Sequence, residues 1–345
     1  EVGDPDGGSH GPGPTVLPRG GGCERTALRA SDIASDRACS PMQTKRQIHQ
    51  LLASAGVVPN RRFGQHFLVD LNLLRLVVDA AQIDPHDVVL EVGCGTGSMT
   101  AALAERAGRV VAVEVDPTLA AIARSQLAGV DNVELIEGDV LSSKGSFNPA
   151  VVEAIGVLGS IKSGVSVSQT VSRLLLVSNL PYDVASAVIA NLVNGPLVAD
   201  AMVVTVQKEV AERMAAAHGG REYGSLSILL GATGDVEVLR ILKPGVFWPP
   251  PAVDSAIVRF VRNDDKRDAI DDIALFGDVV GLFMGHRRKM LRACAKHAPA
   301  HLGDHDLWMG LFEHCRIDPT ARPEELSPGQ YVELANRYRP HAPGR

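Results

Sequence analysis

Asn179, Leu180, Pro181 and Tyr182 follow directly on the apolar run Arg173–Val177, RLLLV, and Ser178. This puts an amide, a fixed carbonyl and an aromatic ring where a buried strand comes out into solvent. Such groups suit an aromatic amine. The exocyclic amine of adenine is a poor nucleophile because its lone pair is delocalised into the ring. The side-chain oxygen of Asn179 and the backbone carbonyl of Leu180 can both accept its N–H bonds. That localises the lone pair and stabilises charge developing on the nitrogen. Pro181 has no N–H and a fixed φ, which stiffens the carbonyl before it. Tyr182 can stack on a base, worth about 1–3 kcal/mol. A plain strand end with a turn draws on the same residue types, so the rest of the chain has to decide.

The stretch LEVGCGTGSMT places Gly93, Gly95 and Gly97 between a β-rich run and a helical one. Glycines there allow a sharp turn and close approach to a ligand. The dinucleotide fingerprint G-x-G-x-x-G is absent, because the position three after Gly95 is Ser98. Glu114 ends VVAVE, 17 residues after Gly97, where an acid can take both ribose hydroxyls. Asp139, in EGDV, follows the next strand, where a carboxylate can accept from an adenine amino group. Either acid alone is an ordinary solvated strand end. Their joint placement at the carboxyl edge of successive strands, where open α/β sheets bind ligands, points to an adenosyl ligand, and with the amine chemistry to S-adenosylmethionine. No strong general base is needed, because the methylated amine becomes acidic and releases its proton to water. Cys94 is not required as a nucleophile, since methyl transfer needs no covalent step.

These residues require a scaffold that delivers several strand ends to one edge. From residue 70 the pattern alternates: LNLLRLVVDAA helical, DVVLEVG strand, SMTAALAERA helical, RVVAVEVD strand, PTLAAIARSQLA helical, NVELIEGDV strand. After a low-signal stretch over 142–172, expected to be an inserted helix and loop, RLLLVSNLPY is a strand, VASAVIANLV a helix and DAMVVTVQKEV a strand running into a helix. Apolar strands alternating with helices predict the α/β class, a Rossmann-like parallel sheet covered on both faces. After residue 265 the patterns are helical: IALFGDVVGLFMGHRRKMLRACAKH, HDLWMGLFEHC and SPGQYVELANRYR. This predicts a catalytic domain over 42–264 and a small helical domain over 265–345. Residues 1–41 are rich in Gly, Pro and Ser without apolar periodicity and are expected to be disordered, with Met42 as the expected native start.

At 345 residues and 45% hydrophobic content the chain can bury a large core. No apolar run approaches the roughly 20 residues of a membrane helix, and no secretory signal opens the chain. Five scattered cysteines without a C-x-x-C pair indicate neither a zinc site nor a disulfide framework. A cytoplasmic protein without a metal is expected. The net charge of −6 weighs against a nucleic-acid partner until its distribution is read. Met42–Val69 carries Lys45, Arg46, Arg61 and Arg62 with no acid. Val279–Gly303 is again free of acids and carries Arg287, Arg288, Lys289, Arg292 and Lys296. Helical spacing would set Arg288, Arg292 and Lys296 on one face, with Met290 and Leu291 anchoring the helix. Such a face suits phosphate contacts.

From Arg61 to Arg339 the chain resembles the ribosomal RNA small-subunit adenine dimethyltransferase family. The resemblance rests on RRFGQHFLVD, LEVGCGTG, VAVEVD, GDV, NLPY, QKEVAERM, YGSLS, FWPPPAVDSAIVRF and HRRKMLR. It implies a Rossmann-like methyltransferase domain and a helical domain that holds RNA. The implied reaction adds two methyl groups to each of two adjacent adenosines near the 3′ end of small-subunit rRNA, within an immature ribosomal subunit, by a monomeric enzyme. By position, His66, Leu68 and Gly93 should meet the methionine part of the cofactor, Glu114 its ribose, Asp139 its adenine and Asn179 its reactive end. Phe247 should form the second wall of the target-adenine pocket, while Trp248 packs in the core. The chain departs from the family at His66, where Asn is usual, at Cys94 and Thr96, where Pro and Leu are usual, and in the length of 142–172. Two other readings stand beside this one. One is a resistance-type dimethyltransferase of large-subunit rRNA, against which FWPPPAVDS and the helical tail count. The other is an assembly factor whose methylation is secondary.

Overall fold

In the computed structural model, residues 42–59, 65–156 and 173–338 are described. The segment 1–41, Arg61, Arg62 and the insert beyond residue 156 lie outside them. Helix α1 (Lys45–Ser54) opens on a capping box: the Thr44 hydroxyl accepts from Gln47 N and the Gln47 side chain accepts from Thr44 N. Strand β1 (Phe67–Leu68) leads into α2 (Leu71–Ala80), capped by Asp70. Alternating units follow: β2 (Val88–Val92), α3 (Ser98–Ala104), β3 (Arg109–Glu114), α4 (Pro117–Gln126) and β4 (Val133–Glu137). The hairpin β5 (Leu141–Ser143) and β6 (Ser146–Phe147) precedes helix α5 (Pro149–Gly156). Then come β7 (Leu174–Asn179), α6 (Ala185–Asn194), β8 (Ala201–Gln207), α7 (Lys208–Met214), α8 (Ser225–Thr233), β9 (Gly234–Leu242), β10 (Phe247–Trp248) and β11 (Ser255–Arg262). The chain closes with α9 (Asp264–Asp268), α10 (Ile273–Met284), α11 (Leu291–Ala295), α12 (His305–His314) and α13 (Pro328–Tyr338).

The central sheet has the order β4-β3-β2-β7-β8-β11-β9. Every residue of β2 is buried, as a strand covered on both faces must be, which is why its sequence does not alternate. Strands β4, β3, β2, β7 and β8 are parallel. The chain winds outward from β2 through β3 to β4, then returns to place β7 on the other side of β2. The carboxyl ends of β2 and β7 therefore flank the switch point where α/β sheets open a crevice. The expectation of a parallel sheet holds for the pairings among these five strands, and β9 runs in their direction too. Strand β11 runs antiparallel to both β8 and β9. Only a 3-10 turn (Pro244–Val246) and the short β10 lie between β9 and β11, and a parallel return would need a longer crossover, usually an α-helix.

The helices after residue 264 continue the same core. Phe283 of α10, Trp308 of α12 and Tyr331 of α13 are fully buried in one cluster with Val204 and Val258 of the sheet. The single helix expected across 273–297 is broken. Helix α10 ends at Met284, residues 285–289 turn, and α11 starts at Leu291. Two backbone donors of the α11 start are drawn elsewhere: Leu291 N donates to Ala321 O and Arg292 N to Pro319 O. Arg287 holds the turn from the other side, with Nε on Glu324 Oε2 at 2.6 Å and a terminal nitrogen on the carbonyls of Gly220 and Arg221. Arg288, Arg292 and Lys296 consequently do not share a helix face, and Met290 is exposed rather than an anchor. Leu291 is buried as expected.

Candidate active site

The loop after β2 is set by its glycines. Gly93 has φ +77°, and a Cβ there would lie 2.9 Å from Cγ of Pro181. This close packing fixes the β2 exit against the segment after β7, whose Ser178 hydroxyl also donates to Val92 O at 2.6 Å. Gly95 N donates to Glu114 Oε2 at 2.8 Å, and Asp116 N donates to Glu114 Oε1 at 3.0 Å. Glu114 is only 4% exposed. Burial raises its carboxyl above the ordinary range, opposed by the bonds from Asp116 and Gly95. Each oxygen has spent one lone pair on a backbone N–H, and a carboxylate offers about four acceptor sites. Both oxygens keep acceptor capacity, which a pair of adjacent hydroxyls can use.

Asn179, the last residue of β7, donates through Nδ2 to His66 O at 2.8 Å. The amide is thereby oriented, and Oδ1 is left to accept. His66 Nδ1 lies 2.7 Å from Pro249 O. A carbonyl can only accept, so Nδ1 carries the proton and Nε2 is the free ring nitrogen in the neutral tautomer. The His66 ring stacks on Tyr182 with centroids 5.5 Å apart. The Tyr182 hydroxyl bonds Ser255 Oγ at 2.6 Å, and burial raises this phenol above its ordinary range. His66 thus joins the NLPY segment to the proline-rich loop after β10.

Between these groups lies a cavity of about 330 Å³ at the carboxyl edge of the sheet. His66, Leu68, Gly93, Glu114, Asp139 and Asn179 all line it, so the six positions expected to hold cofactor converge. Asp139 is exposed there, with Oδ1 accepting from Leu141 N at 2.9 Å. Leu180, Tyr182 and Phe247 do not line it. Leu180 is 1% exposed and donates its N–H to Thr205 O, while Tyr182 stands beside the cavity behind His66. The expectation of a Phe247 wall needs correction for this structure. The ring is 2% exposed and packs with Leu68, Leu242 and Ile257, because β10 pairs with β1 and sets Phe247 opposite Leu68. Trp248 is partly buried and packs on Phe67 and His49, at the edge of the cluster around Ile48 and Leu52.

Four carboxyl groups, Glu91, Glu114, Asp139 and Asp183, line the cavity, and among the described residues no Lys or Arg does. Glu91 was not singled out by the sequence reading, although an acid inside an otherwise apolar strand was a usable signal. It is 1% exposed, and its Oε2 has no hydrogen-bond partner. Burial pushes it up to about 8, with the charge of Glu114 adding to the effect and Thr100 opposing it. Burial likewise raises the Cys94 thiol, which favours its protonated form. Val115, 42% exposed and facing the same cavity, offers an apolar surface for a ring next to the Glu114 ribose position. This cation-seeking, partly apolar pocket suits an adenosyl sulfonium. Among the basic residues, Arg287 is committed to Glu324, and the fold brings Asp318 near Arg292. Arg288, Lys289, Arg292 and Lys296 remain exposed, with Lys289 Nζ 2.6 Å from His297 Nε2.

Known proteins agree with this geometry. Residues 58–339 match the family described as ribosomal RNA adenine dimethylase. The ribosomal RNA small subunit methyltransferase A of Geobacillus kaustophilus is 34% identical over 302 residues, covering 87% of this chain and 97% of the relative. That of Xylella fastidiosa (strain Temecula1) is 32% identical over 278 residues, covering 80% and 94%. Among solved structures, a dimethyladenosine transferase from Plasmodium falciparum shares the fold at a TM-score of 0.61 and 22% identity, covering 80% of this chain and 98% of that one. The 23S rRNA methyltransferase ErmE aligns at 0.52 and 22%, covering 79% and 99%. The glycine loop, the paired strand-end acids and the oriented Asn179 thus stand in a chain that belongs to the ribosomal RNA adenine dimethylase family.

Proposed function

We propose that this enzyme takes methyl groups from S-adenosylmethionine and adds two to the N6 of each of two adjacent adenosines near the 3′ end of small-subunit rRNA. Its substrate in this reading is an immature small ribosomal subunit, met in the cytoplasm by a monomer. The observation that carries the reading is the Asn179 amide, whose Nδ2 is spent on His66 O. Its oxygen is the acceptor that the target amine needs.

The residues present fit the cofactor. Glu114 keeps acceptor capacity for the ribose hydroxyls, Asp139 an accessible carboxylate for the adenine amino group, and Glu91 an unpartnered buried oxygen on a cavity that no described Lys or Arg lines. His66, Leu68 and Gly93 would line the methionine part. When bound, the cofactor supplies an electrophilic methyl group. Asn179 Oδ1 and the Leu180 carbonyl then accept the N–H bonds of the adenine amine and favour its charged form as the new bond develops. Tyr182, held by Ser255, offers a face for the base. Phe247 can serve as a second wall only if the β1–β10 pair yields. Arg288, Lys289, Arg292 and Lys296 hold RNA phosphates, while Arg287 holds the turn that presents them.

The test is methylation of immature small subunits by purified protein with labelled S-adenosylmethionine, and mapping of the product by primer extension. Two adjacent dimethylated adenosines near the 3′ end are expected. Methylation of large-subunit rRNA instead would overturn the substrate assignment. Intact subunit maturation with an Asn179→Ala enzyme would make methylation secondary to binding.

A further inference from the structure

The segment ahead of β1 stands out in the sequence for its basic residues, yet three hydrogen bonds tie it to the glycine loop. Gln43 N donates to Ser98 Oγ at 2.8 Å, Gln43 Nε2 donates to Thr96 O at 3.1 Å, and Thr96 Oγ1 donates to Gln43 Oε1 at 2.6 Å. Gln43 and Thr96 are 9% and 2% exposed. One amide therefore grips both the carbonyl and the hydroxyl of a single loop residue. That residue lies between Gly95 and Gly97, both in the left-handed region at φ +57° and +79°. A loop of this kind has little intrinsic preference for one shape. The next link is the bond from Gly95 N to Glu114 Oε2, which decides which acceptors of Glu114 face the cavity.

Both ends of the segment are anchored. Met42 is buried with Leu73, Leu74 and Met99 against α2 and α3. Ile48 and Leu52 pack on Leu119 and Ile122 of α4, with Phe67 and Trp248 around them. Ile48 also lines the cavity. The segment therefore crosses the glycine loop from one flank to the other, with Gln43 in contact with the loop and Ile48 forming part of the wall.

We propose that residues 42–54 form a strap over the cofactor cavity and that Gln43 is a positioning residue, acting on the cofactor through Thr96, Gly95 and Glu114. The strap rests on the cofactor reading above. Gln43 touches no cavity surface itself, so its effect should appear in cofactor retention rather than in RNA affinity.

The experiment measures S-adenosylmethionine and S-adenosylhomocysteine binding by calorimetry, and release by stopped flow, on the full chain. Wild type is compared with Gln43→Ala, Thr96→Val, Thr96→Ser and the Gln43→Ala/Thr96→Val pair. Losing two buried side-chain hydrogen bonds predicts a rise in Kd of roughly tenfold to a hundredfold for Gln43→Ala, mostly through faster release. Thr96→Val should follow in the same direction and Thr96→Ser should stay near wild type. The double variant should be no worse than Gln43→Ala, as expected for two ends of one contact. Small-subunit affinity should not move. If Gln43→Ala lowers the melting temperature but leaves Kd and release unchanged, the contact is only structural and the proposal falls. If Gln43→Ala does not fold, Thr96→Val against Thr96→Ser decides by the same criterion. If wild type itself binds neither compound, the cofactor reading fails first and the strap with it.

Discussion

Replacing Glu91 with Gln should flatten the dependence of stability on pH. The Glu91 carboxyl is fully enclosed, with an unpartnered Oε2, and its pKa is raised from 4.5 to about 8. Between those values the folded protein keeps a proton that the unfolded chain has released. The unfolded state binds fewer protons, so stability falls as pH rises through that window. Glu91's advantage is fully present below about pH 4.5 and lost by about pH 8. At about 1.4 kcal/mol for each pH unit, its contribution spans about 5 kcal/mol. Glutamine keeps the shape and removes the titration. Urea unfolding of the cofactor-free protein at intervals from pH 5 to 8 should show the wild type losing several kcal/mol more than the Glu91→Gln variant. Glu114 is raised in the same direction and interacts with Glu91, so the difference reports Glu91 together with its coupling to Glu114. Parallel curves for the two proteins would refute the assignment of a buried, protonated Glu91. Adding S-adenosylmethionine should shrink the difference, because a cation in the cavity favours the ionised carboxylate.

Glu114→Ala should weaken cofactor binding by a few kcal/mol, since a charge-assisted paired contact is lost, and calorimetry with unchanged affinity would remove the ribose role. It should also cost stability, because Gly95 N and Asp116 N lose their acceptor. Asn179→Ala should lower the single-turnover methylation rate far more than small-subunit affinity, as expected for a contact that strengthens when the amine becomes charged; an unchanged rate at saturation would take Asn179 out of the mechanism. Arg288→Glu with Arg292→Glu should abolish productive binding to small subunits, leave cofactor affinity normal and reduce the salt slope of any residual binding. Survival of binding with an unchanged slope would move the RNA site elsewhere. Arg287→Glu should behave differently, lowering stability through the lost Glu324 and carbonyl contacts, which thermal unfolding would detect.

The parts of the site legible in sequence were those whose chemistry is confined to a few consecutive residues. The glycine loop, Glu114, Asp139 and Asn179 each sit at the end of a strand whose apolar run is plain, and the parallel order of those strands brings the ends together. The reversed direction of β11 between β8 and β9 was not legible, because direction depends on the connection and not on the strand's own pattern. The break after α10 was hidden for a related reason. The residues there suit a helix, but carbonyls at Pro319 and Ala321 capture the donors, and those lie almost 30 residues downstream. Phe247 was misplaced because its burial is decided by pairing with Leu68 across 179 residues of chain. Gln43 carried no signal at all, since its meaning lies in contact with Thr96.

The two outer strands of the sheet bear on how copies of this protein meet each other. An edge strand exposes unpaired N–H and C=O groups to any passing chain. On β4 the solvent-facing positions are Glu134 and Glu137, each in an ion pair, with Arg109 and Arg124. On β9 they include Asp235, Glu237 and Arg240, with Asp235 bonded to Lys266 at 2.7 Å. An incoming strand would have to desolvate these charges, and the bulge between Ile257 and Val258 twists the β9 ladder away from a flat template. The charged residues therefore guard both edges of the open sheet against strand-to-strand aggregation, although β9 also exposes Val238 and Ile241.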